Sequence, residues 1–342
     1  MVLKRGSAAV AALMALLAGA IAAKADDPAT LKIGHLFPAG HYLWAEGGQP
    51  FAEAVTRATD GRVKFEVYPA GQLGKDVYAL LKSGIVDIAI IPPSYFPEKF
   101  PLTAVNELPG LYGSACEATA KFWAIAEDGK PLDTAELKPL GLHTLFLTTL
   151  PPYAVMTATK KVTTLADLAG LKIRANGAAM EDTIRALGAV PVRVESPDLY
   201  NSLTRGTVDG GFFPYSGLAP YKLEKVFHYS VQGAQLGSGG TMYAMTTAAW
   251  NKLSPGLKAT MTTAAASAQD HLCSWQDKES SRVRDKIVAE EGHTVTVLSA
   301  EQQALWQARV EGVANKWAKD IDATGKPGSA ILAAYRAAQG PK

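Results

Sequence analysis

One stretch, from Leu165 to Phe213, restricts the fold more than any other, because it alternates strand and helix signals without a break. Its first strand holds Lys172-Ile173-Arg174. Met180, Ile184 and Leu187 then recur at i, i+4 and i+7, one face of a helix that Gly188 ends. Val190, Val192 and Val194 alternate as a strand does, and Pro191 predicts an edge or a strand start. Ser196-Pro197 reads as an N-cap followed by proline at the first helical position. Leu199 and Leu203 carry that helix to Gly206, a left-handed C-terminal cap, before a last strand that ends at Phe212-Phe213. Strand, helix, strand, helix, strand defines an α/β unit on a parallel sheet.

In such sheets ligands sit in the crevice beyond the carboxyl ends of the strands. Arg174 falls at one such end and Phe212-Phe213 at another. An arginine there grips a carboxylate with two parallel N–H···O bonds. The competing reading is a solvated surface arginine, the commoner fate of the residue type.

A chain of 342 residues has room for two domains with cores of their own. Its 48% hydrophobic and 19% charged residues are those of a globular protein. The first 25 residues stand apart. Lys4 and Arg5 precede an apolar run from Ala8 to Ala23, and Ala23-Lys24-Ala25 fits a small-x-small cleavage site. That predicts a secretory signal peptide over 1–25 and a periplasmic protein. Cleavage removes three of the 34 basic residues and no acid, leaving 31 against 32 acidic and a net charge of −1. Nothing in that balance points to nucleic acid or an anionic membrane. Cys116 and Cys273 remain in an exported chain, where a disulfide is permitted and a buried free thiol is equally ordinary.

The order of the central stretch occurs once before. Leu31-Lys32-Ile33 answers Leu171-Lys172-Ile173, and Leu81 to Asp87 answers Leu203 to Asp209. Two matches in the same order predict two similar α/β lobes. After a strand at Gly240–Thr247, Ser254-Pro255 opens a helical stretch with no glycine or proline from Leu257 to Glu291. At 1.5 Å per residue it reaches ~50 Å, long enough to lie across both lobes. Ser299 and Gln302 form a capping box for a further helix, and a short one ends the chain. The expected division is 26–148 with about 238–275 for the first lobe, and 149–237 with about 276–342 for the second.

Motifs for hydrolysis, redox chemistry, phosphate loops and metal ligation are all missing from the sequence, so neither an enzyme nor a cofactor or metal is expected. His35 and His41 flank one loop without any accompanying carboxylate pattern and read as hydrogen-bonding loop histidines. The aromatic residues Phe37, Tyr95, Tyr153, Phe212, Phe213, Tyr215 and Tyr243 fall in or beside loops that follow predicted strands. Together with Arg174 they are the candidate ligand-binding set, a cleft for an anion with an apolar body.

Three motifs in order carry a resemblance. Tyr68-Pro69-Ala70-Gly71-Gln72-Leu73-Gly74, then Asp167 to Arg174, then Tyr200 to Gly210 resemble the TRAP (tripartite ATP-independent periplasmic) transporter solute-binding proteins of the dicarboxylate type. The resemblance implies a bilobal α/β fold with hinge strands and a long domain-spanning helix. It also implies a monomer that takes a small organic acid and hands it to the small and large membrane subunits of a sodium-coupled permease. In that family the arginine matching Arg174 holds the ligand carboxylate. Other positions depart from the pattern. A second arginine of many members falls at Tyr153 or Ala154, a ligand-binding asparagine at Phe213, and a glutamate of sugar-acid binders near Pro92. Every departure is from polar to apolar, which points to a monocarboxylate with a hydrophobic or aromatic body. The alternatives are a C4-dicarboxylate or sugar-acid binder of the same family, or a sensory protein that presents its ligand to a receptor.

Overall fold

The computed structural model describes residues 29–340, so the signal peptide expected over 1–25 lies outside the described residues. In chain order the strands and helices are β1 (Ala29–Gly34), α1 (Gln49–Ala58), β2 (Val63–Tyr68), α2 (Val77–Lys82), β3 (Ile88–Ile91), α3 (Ala115–Ala126) and β4 (Leu142–Thr149). The middle of the chain adds β5 (Ala154–Thr157), β6 (Lys172–Ala175), α4 (Ala178–Ala186), β7 (Val190–Arg193), α5 (Ser196–Thr204), β8 (Gly210–Phe213) and β9 (Tyr229–Gln232). It finishes with β10 (Gly240–Thr246), α6 (Thr247–Lys252), α7 (Pro255–Glu290), β11 (Thr294–Val297), α8 (Ala300–Ala323) and α9 (Gly328–Ala337).

Two sheets result, ordered β2-β1-β3-β10-β4 and β11-β9-β5-β8-β6-β7. Within each, one three-stranded parallel unit repeats: β1 lies between β2 and β3 as β6 lies between β7 and β8. The matched sequences produce matched bonds. Asp87 and Asp209 each accept the amide of Lys32 or Lys172 at 2.8 Å, clamping the last strand of the unit to the first. Gly84 and Gly206 occupy φ of +74° and +68°, the left-handed turn that both helix ends need before those aspartates. The chain passes between the sheets around Leu150–Tyr153 and again around Leu236–Gly239, where Leu150 and Tyr153 donate their amides to the carbonyls of Gly239 and Gly237. These two antiparallel crossings form the hinge.

The uninterrupted stretch is one 36-residue helix, α7. Leu257, Met261, Ala265 and Leu272 pack into the core of the first sheet, while Val283 and Ile287 join the core of the second lobe. It is the strut that its length predicts. Of the C-terminal helices, α8 packs on α4, whereas α9 returns to α3 of the first lobe.

Two local readings change, and a third is confirmed. Cys116 on α3 and Cys273 on α7 are bonded, with Cα atoms 4.8 Å apart, so the free-thiol alternative is set aside. Helix α5 starts at Ser196 itself, and the Ser196 hydroxyl caps nothing. It is engaged elsewhere, as described below. Val190, with 47% of its surface exposed, confirms that the proline-bearing strand β7 is an edge. Among the described residues no helix is long and apolar enough to cross a membrane.

Candidate functional site

The carboxyl ends of β1 and β3 face those of β6 and β8 across the hinge, and a cavity lies between them. The first lobe contributes Phe37 and His41 from the loop after β1, and Pro92, Ser94 and Tyr95 from the turn after β3. The second contributes Arg174, Asn176, Ser196, Phe213, Pro214 and Tyr221, and the hinge adds Tyr153 and Gly239. The space open to the centre of a water molecule is about 40 Å³, a narrow slot.

Arg174 is 1% exposed. Its place follows from β6, where it pairs with Gly211 of β8 on one side and Val192 of β7 on the other. Three of its five N–H donors are taken: Nε by the Val194 carbonyl at 2.8 Å, Nη1 by the Phe212 carbonyl at 3.2 Å, and Nη2 by Ser196 Oγ at 3.0 Å. These bonds fix the plane of the guanidinium and leave two N–H groups, the number a carboxylate fork uses. Nearby Arg193 is paired with Glu181 at 2.7 Å, but no acid among the described residues forms an ion pair with Arg174. A buried cation without a counter-ion is costly, so the site favours an incoming anion.

Aromatic rings continue from that cation. The Phe213 ring centroid lies 5.4 Å from Arg174 Cζ, Tyr221 meets Phe213 edge-on at 6.1 Å, and Tyr153 stacks near it at 6.3 Å. From the other lobe, His41 lies 5.3 Å from Tyr221 and stacks on Phe37 at 4.8 Å. Burial, with His35 nearby, lowers His41 to about 3, so it is a neutral ring at pH 7. Its Nδ1 accepts the Leu43 amide at 3.2 Å, as the loop-histidine reading expects, although the ring also walls the slot. Burial likewise lowers His35 to about 4. Burial raises the Tyr153 hydroxyl far above its ordinary value, an effect that Arg174 beside it partly offsets. Arg174 is therefore the one charged side chain among the described residues that line the slot, beside neutral rings and the polar Ser94, Asn176 and Ser196.

Of the eight candidate residues, Arg174, Tyr153, Phe213, Phe37 and Tyr95 come together here. Phe212 does not, because adjacent strand residues face opposite ways; its side chain is core, and only its carbonyl serves Arg174. Tyr215 lies outside, with its hydroxyl 2.7 Å from Ser230 Oγ. Tyr243 lies two residues past the cavity-lining Thr241, stacked on Phe146 at 3.8 Å and hydrogen-bonded to the Leu43 carbonyl. Tyr221, Asn176 and Ser196 are site residues that sequence reasoning passed over; the aromatic run after β8 was the available signal for Tyr221. A wider concavity of about 320 Å³ lies behind the hinge, but its cation Arg284 is already paired with Asp285 at 2.7 Å. It offers an anion less.

Glu107 sits at the junction of the lobes, wholly buried, with Oε2 lacking a hydrogen-bond partner. Burial raises it to about 8, against a smaller lowering by Arg193 and Arg174. Because the folded value lies above the unfolded 4.5, the folded state binds the extra proton, and stability falls as pH rises from about 4.5 to about 8. Urea unfolding across that window should show a loss on the order of a few kcal/mol. Glu107→Gln should flatten the slope, and identical slopes in the two proteins would contradict it.

Two α/β lobes of like topology, hinged by paired crossings around a buried guanidinium, define a bilobal binding protein. The chain matches the family described as bacterial extracellular solute-binding protein, family 7 (DctP), over residues 33–320, and it belongs to that family, the TRAP transporter solute-binding proteins. It is similar to the C4-dicarboxylate-binding periplasmic protein DctP of Rhodobacter capsulatus, with 26% identity over 316 residues and 91% of each chain covered. Among solved structures it is similar to a TRAP solute-binding protein from Rhodoferax ferrireducens in complex with copurified benzoate. That match has a TM-score of 0.83 and 25% identity, and covers 90% of this chain and 97% of the other. A marine-metagenome TRAP protein specific for aromatic acid ligands matches with TM-score 0.82 and 26% identity, covering 90% and 97%. Proteins of this family capture solutes outside the cytoplasm and work with membrane subunits; this chain is a binding protein, not an enzyme.

Proposed function

We propose that this protein captures a monocarboxylate with a flat, apolar or aromatic body, and delivers it to the membrane subunits of a TRAP transporter. The observation that carries the reading is Arg174: a buried guanidinium, fixed by three protein acceptors, with two donors left and rings on either side. The carboxylate takes those two donors. The body of the acid lies between Phe213 and Tyr221 of one lobe and Phe37 and His41 of the other. Water is excluded as the lobes meet, which strengthens the ion pair.

The same geometry argues against a second carboxylate. Among the described residues no other cation lines the cavity, and neutral His41 supplies none. A dicarboxylate therefore buries one charge unpaired, a large penalty. The aromatic acids held by the two solved relatives lend support, whereas the Rhodobacter relative takes C4-dicarboxylates. Titration calorimetry on the purified protein with benzoate, 3-hydroxybenzoate, mandelate, succinate and malate discriminates the readings. The expected order places an aromatic acid at least about tenfold above succinate. Succinate binding more tightly than every aromatic acid would overturn the proposal.

A further inference from the structure

We propose that the turn Ser94-Tyr95 is the latch that holds the two lobes shut, and that Ser196 transmits its state to Arg174. The inference rests on the reading of Arg174 as ligand anchor, and adds to it what governs release.

The turn belongs to the first lobe, directly after β3, and its partners belong to the second. Tyr95 Oη donates to Ser196 Oγ at 3.0 Å and accepts the Ser196 amide at 2.9 Å. That amide lies in the first turn of α5, where the helix itself offers no acceptor. Across the closed cleft, then, a tyrosine of one lobe satisfies an orphan donor of the other. The Ser196 hydroxyl also accepts from Arg174 Nη2 at 3.0 Å, so both its lone pairs are used only while the lobes are together. A third bond crosses beside them: Asn176, two residues beyond Arg174, donates Nδ2 to Ser94 Oγ at 3.2 Å.

Gly177 makes the approach possible. A Cβ there would lie 2.7 Å from Glu107 Oε2 and 3.0 Å from Ser94 Cβ. Its φ of −162° is open to any residue, so the requirement is for space alone. The bare backbone lets the Ser94-Tyr95 turn reach the segment that carries Arg174 and Asn176.

Tyr95 is accordingly a positioning residue. It acts on the ligand through Ser196, and opening the cleft must break three cross-lobe hydrogen bonds. Breaking them is a step in releasing any bound ligand, so the latch limits the dissociation rate.

Two measurements on the mature protein test this. The first needs no ligand: amide hydrogen exchange at Ser196, followed by NMR, should speed up by about tenfold or more in Tyr95→Phe. The second uses benzoate in stopped-flow. Tyr95→Phe should raise its dissociation rate about tenfold. Ser196→Ala should act in the same direction, and the double variant should fall well short of the product of the two. Gly177→Ala, which removes no hydrogen bond, should also hasten release by wedging the lobes apart. Unchanged Ser196 exchange in Tyr95→Phe, or fully multiplicative effects in the cycle, would overturn the latch. Failure of benzoate to bind at all counts against the proposed ligand class, and leaves the exchange measurement to decide the latch.

Discussion

Replacing Arg174 by methionine should weaken binding of the ligand acid by about 10²- to 10⁴-fold while leaving the fold intact. The magnitude follows from removing one partner of a buried ion pair, which costs about 3–5 kcal/mol because the other charge is left desolvated. The unliganded protein obeys different arithmetic. There the guanidinium is buried without a counter-ion, so its loss relieves a desolvation penalty while giving up three hydrogen bonds. Those terms oppose each other, and the unfolding free energy should move by less than about 1 kcal/mol. Lysine at the same place keeps the charge but not the fork, and should recover only part of the affinity. Calorimetry and urea unfolding on the three proteins separate the two effects. Arg174→Met binding within about threefold of wild type would remove the proposed anchor.

What the sequence made legible follows the physics of each signal. The units β1 to β3 and β6 to β8 were readable because their periods are local: apolar spacing sets each element, and glycine closes each helix. Arg174 was readable for the same reason, since a residue at a strand's carboxyl end faces the crevice whatever the loops do. The aromatic wall was legible only in part. Phe212 and Phe213 differ by one residue, and the pleat sends them to opposite faces, a choice that register alone decides. Tyr243 lies on a strand that enters the first sheet from far along the chain, so no local pattern shows how far it sits from the cleft. Ser196 is the instructive error. Serine before proline is a sound cap signal, yet a tyrosine 101 residues away and Arg174 claim its hydroxyl. Long-range demand overrode a local preference there, as happens where a site must be built.

The cysteines lay beyond local reasoning altogether, and their bond yields the second large effect. Cys116 and Cys273 are 157 residues apart in sequence, so the link closes α3, β4, the second-lobe strands β5 to β9, and β10 to the middle of α7 into one loop. A cross-link over so long a loop restricts the unfolded chain strongly, and its loss should cost about 2–5 kcal/mol. The bond joins α3 to α7, neither cysteine lines the Arg174 cavity, and Cys116 lies in the first turn of α3. That helix end has a second tether: Asp277 of α7 accepts the amides of Ala115 at 2.7 Å and Cys116 at 3.1 Å. With the carboxylate still holding the helix, a Cys116→Ser/Cys273→Ser variant should keep its fold and its ligand affinity at room temperature. Its unfolding midpoint should nonetheless drop by about 5–15 °C. Adding Asp277→Asn should lower it by more than the two separate effects combined, because both tethers hold one helix end. A reductant should reproduce the serine variant in the wild-type protein and change nothing in the variant itself. If the serine variant melted with the wild type, the stabilisation would reside in the packing of α3 on α7, and the disulfide would contribute no measurable share.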